Sequence, residues 1–126
     1  MGRDQEKNKA DSDRLQRNKE MDQADNGRIN LNPNERVDDL QINGFKIIQN
    51  PDKFCFGMDA VLLSDYAGIK KDSRVMDLCS GTGIVPILLE AKYEAAYIEG
   101  LEYQKDCVDM ARRSVTMNGL DGRIMM

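Results

Sequence analysis

"RVMDLCSGTGIVPILLEAK", residues 74–92, decides the fold. Arg74–Leu78 reads as a short buried strand, "CSGTG" as a tight loop, and residues 83–92 as a helix. Pro86 does not break that helix, because the N–H groups of a first turn have no intrahelical acceptor and losing one costs little. Asp77 falls at the end of the strand, and Gly81 and Gly83 fall in the turn that enters the helix. Glycines there let the backbone turn sharply and approach a ligand closely, while the free N–H groups at the helix start can receive a polar or anionic group. Cys79 and Pro86 interrupt the GxGxxG spacing of a pyrophosphate cradle, so a dinucleotide is a poor match.

Downstream, "AAYIEGLE" (residues 95–102) reads as a second strand and "YQKDCVDMARRSVTMNGL" as a second helix, stopped by Asn118-Gly119. Cys107, Met110 or Ala111, and Ser114 or Val115 share one side of it. "RIMM", residues 123–126, opens a third strand. Strand, helix, strand, helix, strand is the order of an α/β fold, a Rossmann-like parallel sheet with right-handed crossovers. Such a sheet is buried on both faces, which makes Glu99 out of place inside the second strand. Stopping at the start of a third strand leaves an edge open and the neighbouring faces without their covering helices. The expectation is a truncated version of a larger domain, or a chain whose open edge a partner chain covers.

Upstream, "RVDDLQINGFKIIQNP" (residues 36–51) reads as two short strands around Asn43-Gly44, a dipeptide that accepts positive φ in a tight hairpin turn. Phe45 and Ile47, with Leu40 and Ile42, supply its apolar face. The loop "DKFCFGM" then leads to "DAVLLSDYAG", where Asp59 caps a helix carrying Val61, Leu62, Tyr66 and Ala67 at helical spacing and Gly68 closes it. Phe54, Phe56 and Met58 suit equally a lid over a ligand and core packing against the Val61-Leu62 helix. Residues 1–30 hold too few apolar side chains to offset the entropy of ordering them. They are expected to be a disordered charged arm, with residues 31–126 carrying the domain.

Composition narrows the chemistry. Formal net charge is −4, which argues against a protein that binds nucleic acid only by neutralising phosphates. Lys53, Lys70, Lys71, Arg74, Arg112 and Arg113 read as solvated surface. The sequence has no histidine and three widely spaced cysteines, Cys55, Cys79 and Cys107, which disfavours a structural metal site, a disulfide framework and the usual Ser/His or Cys/His pairs. No apolar run suits a membrane span or a secretory signal, so a cytoplasmic protein is expected.

Glu102 ends the second strand of the parallel sheet. At that place in a doubly wound fold an acid faces the crevice and can accept two hydrogen bonds from ribose hydroxyls. Together with Asp77 and the glycine turn, it favours S-adenosylmethionine. Asp77 would hold the amino end of the methionine part, the backbone of residues 81–83 would pass beneath the ligand, and Glu102 would fix the ribose. This cofactor brings its own activated methyl group, which agrees with a chain lacking histidine.

"FKIIQNPDKFCFGMDAVLLSDYA", "VMDLCSGTGIVPILLEAK" and "GLEYQKDCVDMARRSVTMNGLDGRI" also carry a resemblance. Over residues 36–126 the chain resembles the amino-terminal half of the bacterial tRNA1(Val) adenine-37 N6-methyltransferase family, within the class I methyltransferases. The resemblance implies that Asp77, Cys79, Ser80, Gly81, Thr82 and Gly83 form the cofactor loop and that Glu102 binds the ribose. It further implies that Phe56 and Gly57, with Met58 and Asp59, lie over the active-site side of the cofactor, and that tRNA is the partner of the full-length relative. Cys79 departs from the family's glycine and is expected to be a small buried apolar residue rather than a nucleophile. The family's Asn-Pro-Pro-aromatic motif, which grips the target amine, has no counterpart here: the three prolines are Pro33, Pro51 and Pro86. No catalytic residue is therefore assigned. A protein glutamine-amide methyltransferase and a noncatalytic cofactor-binding or interaction fragment stand as alternatives.

Overall fold

The computed structural model describes residues 29–126; the arm expected over residues 1–30 lies, through residue 28, outside the described residues. Residues Leu31–Met126 form one compact unit, with the order β1 (Arg36–Asp39), β2 (Lys46–Gln49), α1 (Met58–Tyr66), β3 (Arg74–Leu78), α2 (Ile84–Tyr93), β4 (Tyr97–Leu101), α3 (Lys105–Met117) and β5 (Ile124–Met125). β3, β4 and β5 pair in parallel in that order, so β4 is central. This is the expected strand–helix alternation.

Side chains sort by parity across that sheet. Val75, Ile98 and Ile124 stand in register and meet Ile87 and Leu89 of α2 and Val115 of α3 in one apolar cluster. Fully buried residues such as Ile87 and Ile98 each contribute roughly 1.5–3 kcal/mol of burial. Met76, Glu99 and Met125 stand in register on the opposite face, where Met76 is 57% and Met125 59% exposed. The Arg74 guanidinium lies 5.7 Å from the centre of the Tyr97 ring on that same face. Burial on both faces was expected, but the described residues cover one face only. Glu99 thus sits on a partly open surface and needs no buried partner.

The amino-terminal strands form an antiparallel pair, although Asn43-Gly44 does not join them directly. β1 stops at Asp39, whose carboxylate takes the Gln41 N–H at 2.7 Å in a local side-chain turn. The tight turn forms beyond it: Asn43 and Gly44 have φ of 52° and 70°, and the Phe45 N–H donates to the Ile42 carbonyl at 2.9 Å. On its outer side β2 meets α3. Lys46 exchanges two hydrogen bonds with the Asn118 side-chain amide, at 2.8 and 2.7 Å, and the Ile48 N–H donates to Ser114 Oγ at 2.9 Å. With partners on both sides, Ile47, Ile48 and Gln49 are all buried.

α1 differs from its expected pattern. Gly57, not Asp59, is the N-cap residue, and no side chain caps the helix. Leu62 and Tyr66, assigned to the packing side, are exposed, with Tyr66 at 91%, and Ser64 is the residue that is buried. Val61, as expected, and Ala60 pack against the Ile47, Ile84 and Leu88 cluster, and polar contacts add to this: Lys92 of α2 donates to Ser64 Oγ and pairs with Asp65, both at 2.6 Å. Arg113, expected on the surface, is likewise tied by a two-pronged contact to Glu35 at 2.7 Å and by Asp109 at 2.6 Å. Among the described residues, no helix is long and apolar enough to cross a membrane.

Candidate cofactor-binding site

The carboxyl ends of β3 and β4 lie side by side, Leu78 opposite Leu101, so the loops that follow them open into one cleft. After β3 the chain reverses through three left-handed residues, Cys79, Gly81 and Gly83, with φ of 59°, 59° and 83°. Two backbone bonds hold the turn: the Ser80 N–H donates to the Leu101 carbonyl at 3.0 Å and the Gly83 N–H to the Ser80 carbonyl at 3.1 Å. Gly83 has a second constraint, because a Cβ there would lie 3.2 Å from Ala111 Cβ of α3. It sets the approach of α2 to α3 and is not on the cleft wall.

Glu102 braces this turn from the neighbouring loop. One of its oxygens accepts the Gly81 N–H and the other the Gln104 N–H, each at 2.8 Å. These bonds, Gln104's foremost, hold its carboxyl below the ordinary carboxylate range against a smaller opposing effect of burial. Asp77 experiences the reverse balance. Burial pushes its carboxyl up, and the hydrogen bond from Ser80 Oγ at 2.6 Å offsets part of that rise.

The cleft has a volume of about 500 Å³ and is lined by Asp77, Cys79, Ser80, Gly81, Thr82 and Glu102 on the sheet side and by Phe54, Phe56, Ala60 and Leu63 on the other. Of the residues singled out in the sequence for the site, Gly57, Met58 and Gly83 are not on its wall. Phe56 does both things open to it: it lines the cleft and packs against the Ile47, Ile84 and Leu88 cluster. Met58 is exposed and does neither, and Cys79, expected to be buried, is exposed in the cleft. Sequence reasoning missed Lys53, Gln104 and Cys107 as lining residues. Gln104's position two residues after the ribose acid was the available signal, whereas Lys53 reaches the site through a long-range ion pair with Asp106 that no local pattern announces. The Cys107 thiol is pushed up by burial, which keeps it protonated and unreactive.

These residues fit S-adenosylmethionine. Each Glu102 oxygen takes one backbone N–H and retains a lone pair for a ribose hydroxyl, so the acceptor is aimed before any ligand arrives. The volume lies in the range of roughly 300–1,000 Å³ typical of ligand pockets. Among the described residues, no group of three or more His, Cys, Asp or Glu side chains is placed to hold a metal ion.

No family model matches the chain. Ribosomal protein L11 methyltransferase of Thermotoga neapolitana is 28% identical over 109 residues, covering 74% of this chain and 40% of that protein. Ribosomal protein uL3 glutamine methyltransferase of Bradyrhizobium diazoefficiens is 34% identical over 53 residues, 42% of this chain and 17% of that protein. The chain thus spans less than half the length of these curated relatives. Among solved structures, M. jannaschii TYW2 in complex with AdoMet matches with a TM-score of 0.61 at 14% identity, over 78% of this chain and 45% of that one. The complex of aTrm5 and tRNALeu matches at 0.59 and 16% identity, over 77% and 28%. The chain therefore carries part of the Rossmann-like α/β fold of class I methyltransferases, the fold on which such enzymes bind S-adenosylmethionine.

Proposed function

We propose that the cleft binds S-adenosylmethionine and that the chain is the cofactor-holding part of a cytoplasmic methyltransferase that modifies tRNA, with an adenine N6 amine as the target. The carrying observation is Glu102, locked by the Gly81 and Gln104 N–H groups at the carboxyl end of the parallel sheet. Asp77 and Ser80 would take the methionine end, Glu102 the ribose hydroxyls, and the Cys79–Thr82 backbone would run beneath the ligand. Bound there, the cofactor supplies a sulfonium-activated methyl group as electrophile. The chain's own residues orient it and exclude water from one side through Phe56 and Leu63. Target recognition is proposed to lie with the Asn-Pro-Pro-aromatic motif that the resemblance implies and residues 1–126 do not contain. The tRNA target is supported by that resemblance and by the shared fold of an enzyme solved with tRNA.

Calorimetric titration of the folded chain with S-adenosylmethionine tests the reading, with circular dichroism to verify folding. Saturable binding that a Glu102→Ala variant loses is expected. A folded chain that takes up no heat with the cofactor overturns it. A second target class has one observation in its favour, the 34% identity to a glutamine methyltransferase of a ribosomal protein. A glutamine amide presents a planar, conjugated nitrogen like that of adenine. Methyl transfer to a glutamine peptide rather than to tRNA, measured with a cofactor-loaded protein that includes the target-gripping segment, would select it, and tight binding with transfer to neither by that protein would point to a noncatalytic cofactor-binding module.

A further inference from the structure

The loop between β2 and α1 is fixed at its base and reaches outward at its tip. At the base, Gln49 is 2% exposed; its side chain accepts the Phe56 N–H at 3.0 Å and donates to Asp38 at 2.7 Å. Asn50 adds a turn, its carbonyl taking the Lys53 N–H at 3.0 Å. Past that turn Phe54 is 86% exposed, and Lys53 extends to an ion pair with Asp106 in the first turn of α3. Asp106 lies two residues beyond Gln104, whose N–H braces Glu102.

Lys53 also lies on two cavities at once. It lines the cofactor cleft and a second, polar cavity of about 350 Å³ walled by Asn32, Glu35 and Asp109. Asp106 lines the second cavity, while its neighbour Cys107 lines the first. The ion pair therefore lies where the two cavities adjoin.

We infer that the Lys53–Asp106 pair is a strap across the side of the cleft, and that the two residues position the Phe54–Phe56 loop and set how fast a ligand passes. The inference rests on the reading of the cleft as the S-adenosylmethionine site. Both partners are partly exposed to solvent, and a pair in that setting is weak and screened by salt. That weakness is what a strap requires, since it opens and recloses without unfolding its base. When open, it releases the tip of the Phe54–Phe56 loop at the side of the cleft.

Stopped-flow measurement of S-adenosylmethionine association and dissociation in low salt tests the strap. Lys53→Ala and Asp106→Ala are each expected to raise both rates about two- to fivefold, and Asp106→Ala, whose side chain is not on the cleft wall, with little change in Kd. The charge-swapped double variant, Lys53→Asp with Asp106→Lys, is expected to return both rates to those of the parent. Unchanged rates in the single variants, faster release alone, or failure of the swap to restore would each overturn the strap. If the parent chain binds no S-adenosylmethionine, the cofactor reading falls, and hydrogen exchange of the amides at residues 53–56 decides the strap by itself. Faster exchange in both single variants with recovery in the swap supports it; equal exchange in all four chains overturns it.

Discussion

Cys79 holds a backbone conformation its side chain disfavours. At φ of 59°, Cβ crowds the following carbonyl, which costs a non-glycine residue roughly 1–2 kcal/mol. Replacing Cys79 by Gly, the residue the family resemblance implies, is expected to raise unfolding free energy by about 1 kcal/mol, part of the relief being offset by a more flexible unfolded chain. Urea titration checks this, and tighter S-adenosylmethionine binding should accompany it. The two acids beside this turn are shifted in opposite directions. Asp77 is raised above 3.8 by burial, so a ligand that needs its carboxylate loses affinity as pH falls through a midpoint above that value. Glu102 is held below 4.5, so its share of stability is present above that value and disappears only as pH falls through the lower folded value. In affinity measured against pH, Asp77→Asn should therefore remove the acid limb that belongs to Asp77, at the expense of affinity at pH 7, and leave the limb of Glu102. The identities of Asp77, the turn residues and Glu102 were legible in the sequence because turn and strand-end chemistry is local. The exposure of Cys79 was not, because it follows from a dihedral angle that no neighbouring residue dictates.

Between elements, the decisive contacts are polar and distant in sequence. The periodicity of residues 105–117 revealed α3, and Asn118-Gly119 its end, from local pattern alone. Nothing local revealed that Asn118 pairs with the backbone of Lys46, or that Ser114 Oγ receives the Ile48 N–H while donating to Met110 at 2.8 Å. These side chains, about one helical turn apart, complete the hydrogen bonds of β2 on the side away from β1. Ser114 is fully buried, so Ser114→Ala leaves the Ile48 N–H without its acceptor and should cost about 1–3 kcal/mol in denaturant unfolding. Ser114→Thr, which keeps the hydroxyl, should recover part of the loss if its methyl group is accommodated. The misreading of α1 has a related cause. Of its apolar residues at helical spacing, Val61 packs inward, whereas Leu62 and Tyr66 are left outside and Lys92 contacts to Ser64 and Asp65 complete the attachment of the helix.

At the scale of the molecule, the order of strands and helices was legible because the hydrophobic period switches at each glycine turn. Missing cover on the sheet was expected as well, but which face lies open was not, because that depends on which layers are present. The face bearing Met76, Leu78, Leu101 and Met125 is open among the described residues, and Glu99 lies within it. Exposed apolar side chains grouped on one face in this way drive association in water. The 126-residue chain is therefore expected to self-associate as its concentration rises, with dissociation favoured by dilution. Met76→Lys should weaken that association, because it removes an apolar side chain and places a cation directly across from Glu99 on the neighbouring strand. Met76 is not on the wall of the cofactor cleft, so S-adenosylmethionine binding by the variant should match that of the parent. Light scattering across a concentration series measures the first effect and calorimetry the second. Equal association of parent and variant would show that the open sheet face is not the surface through which the chain associates.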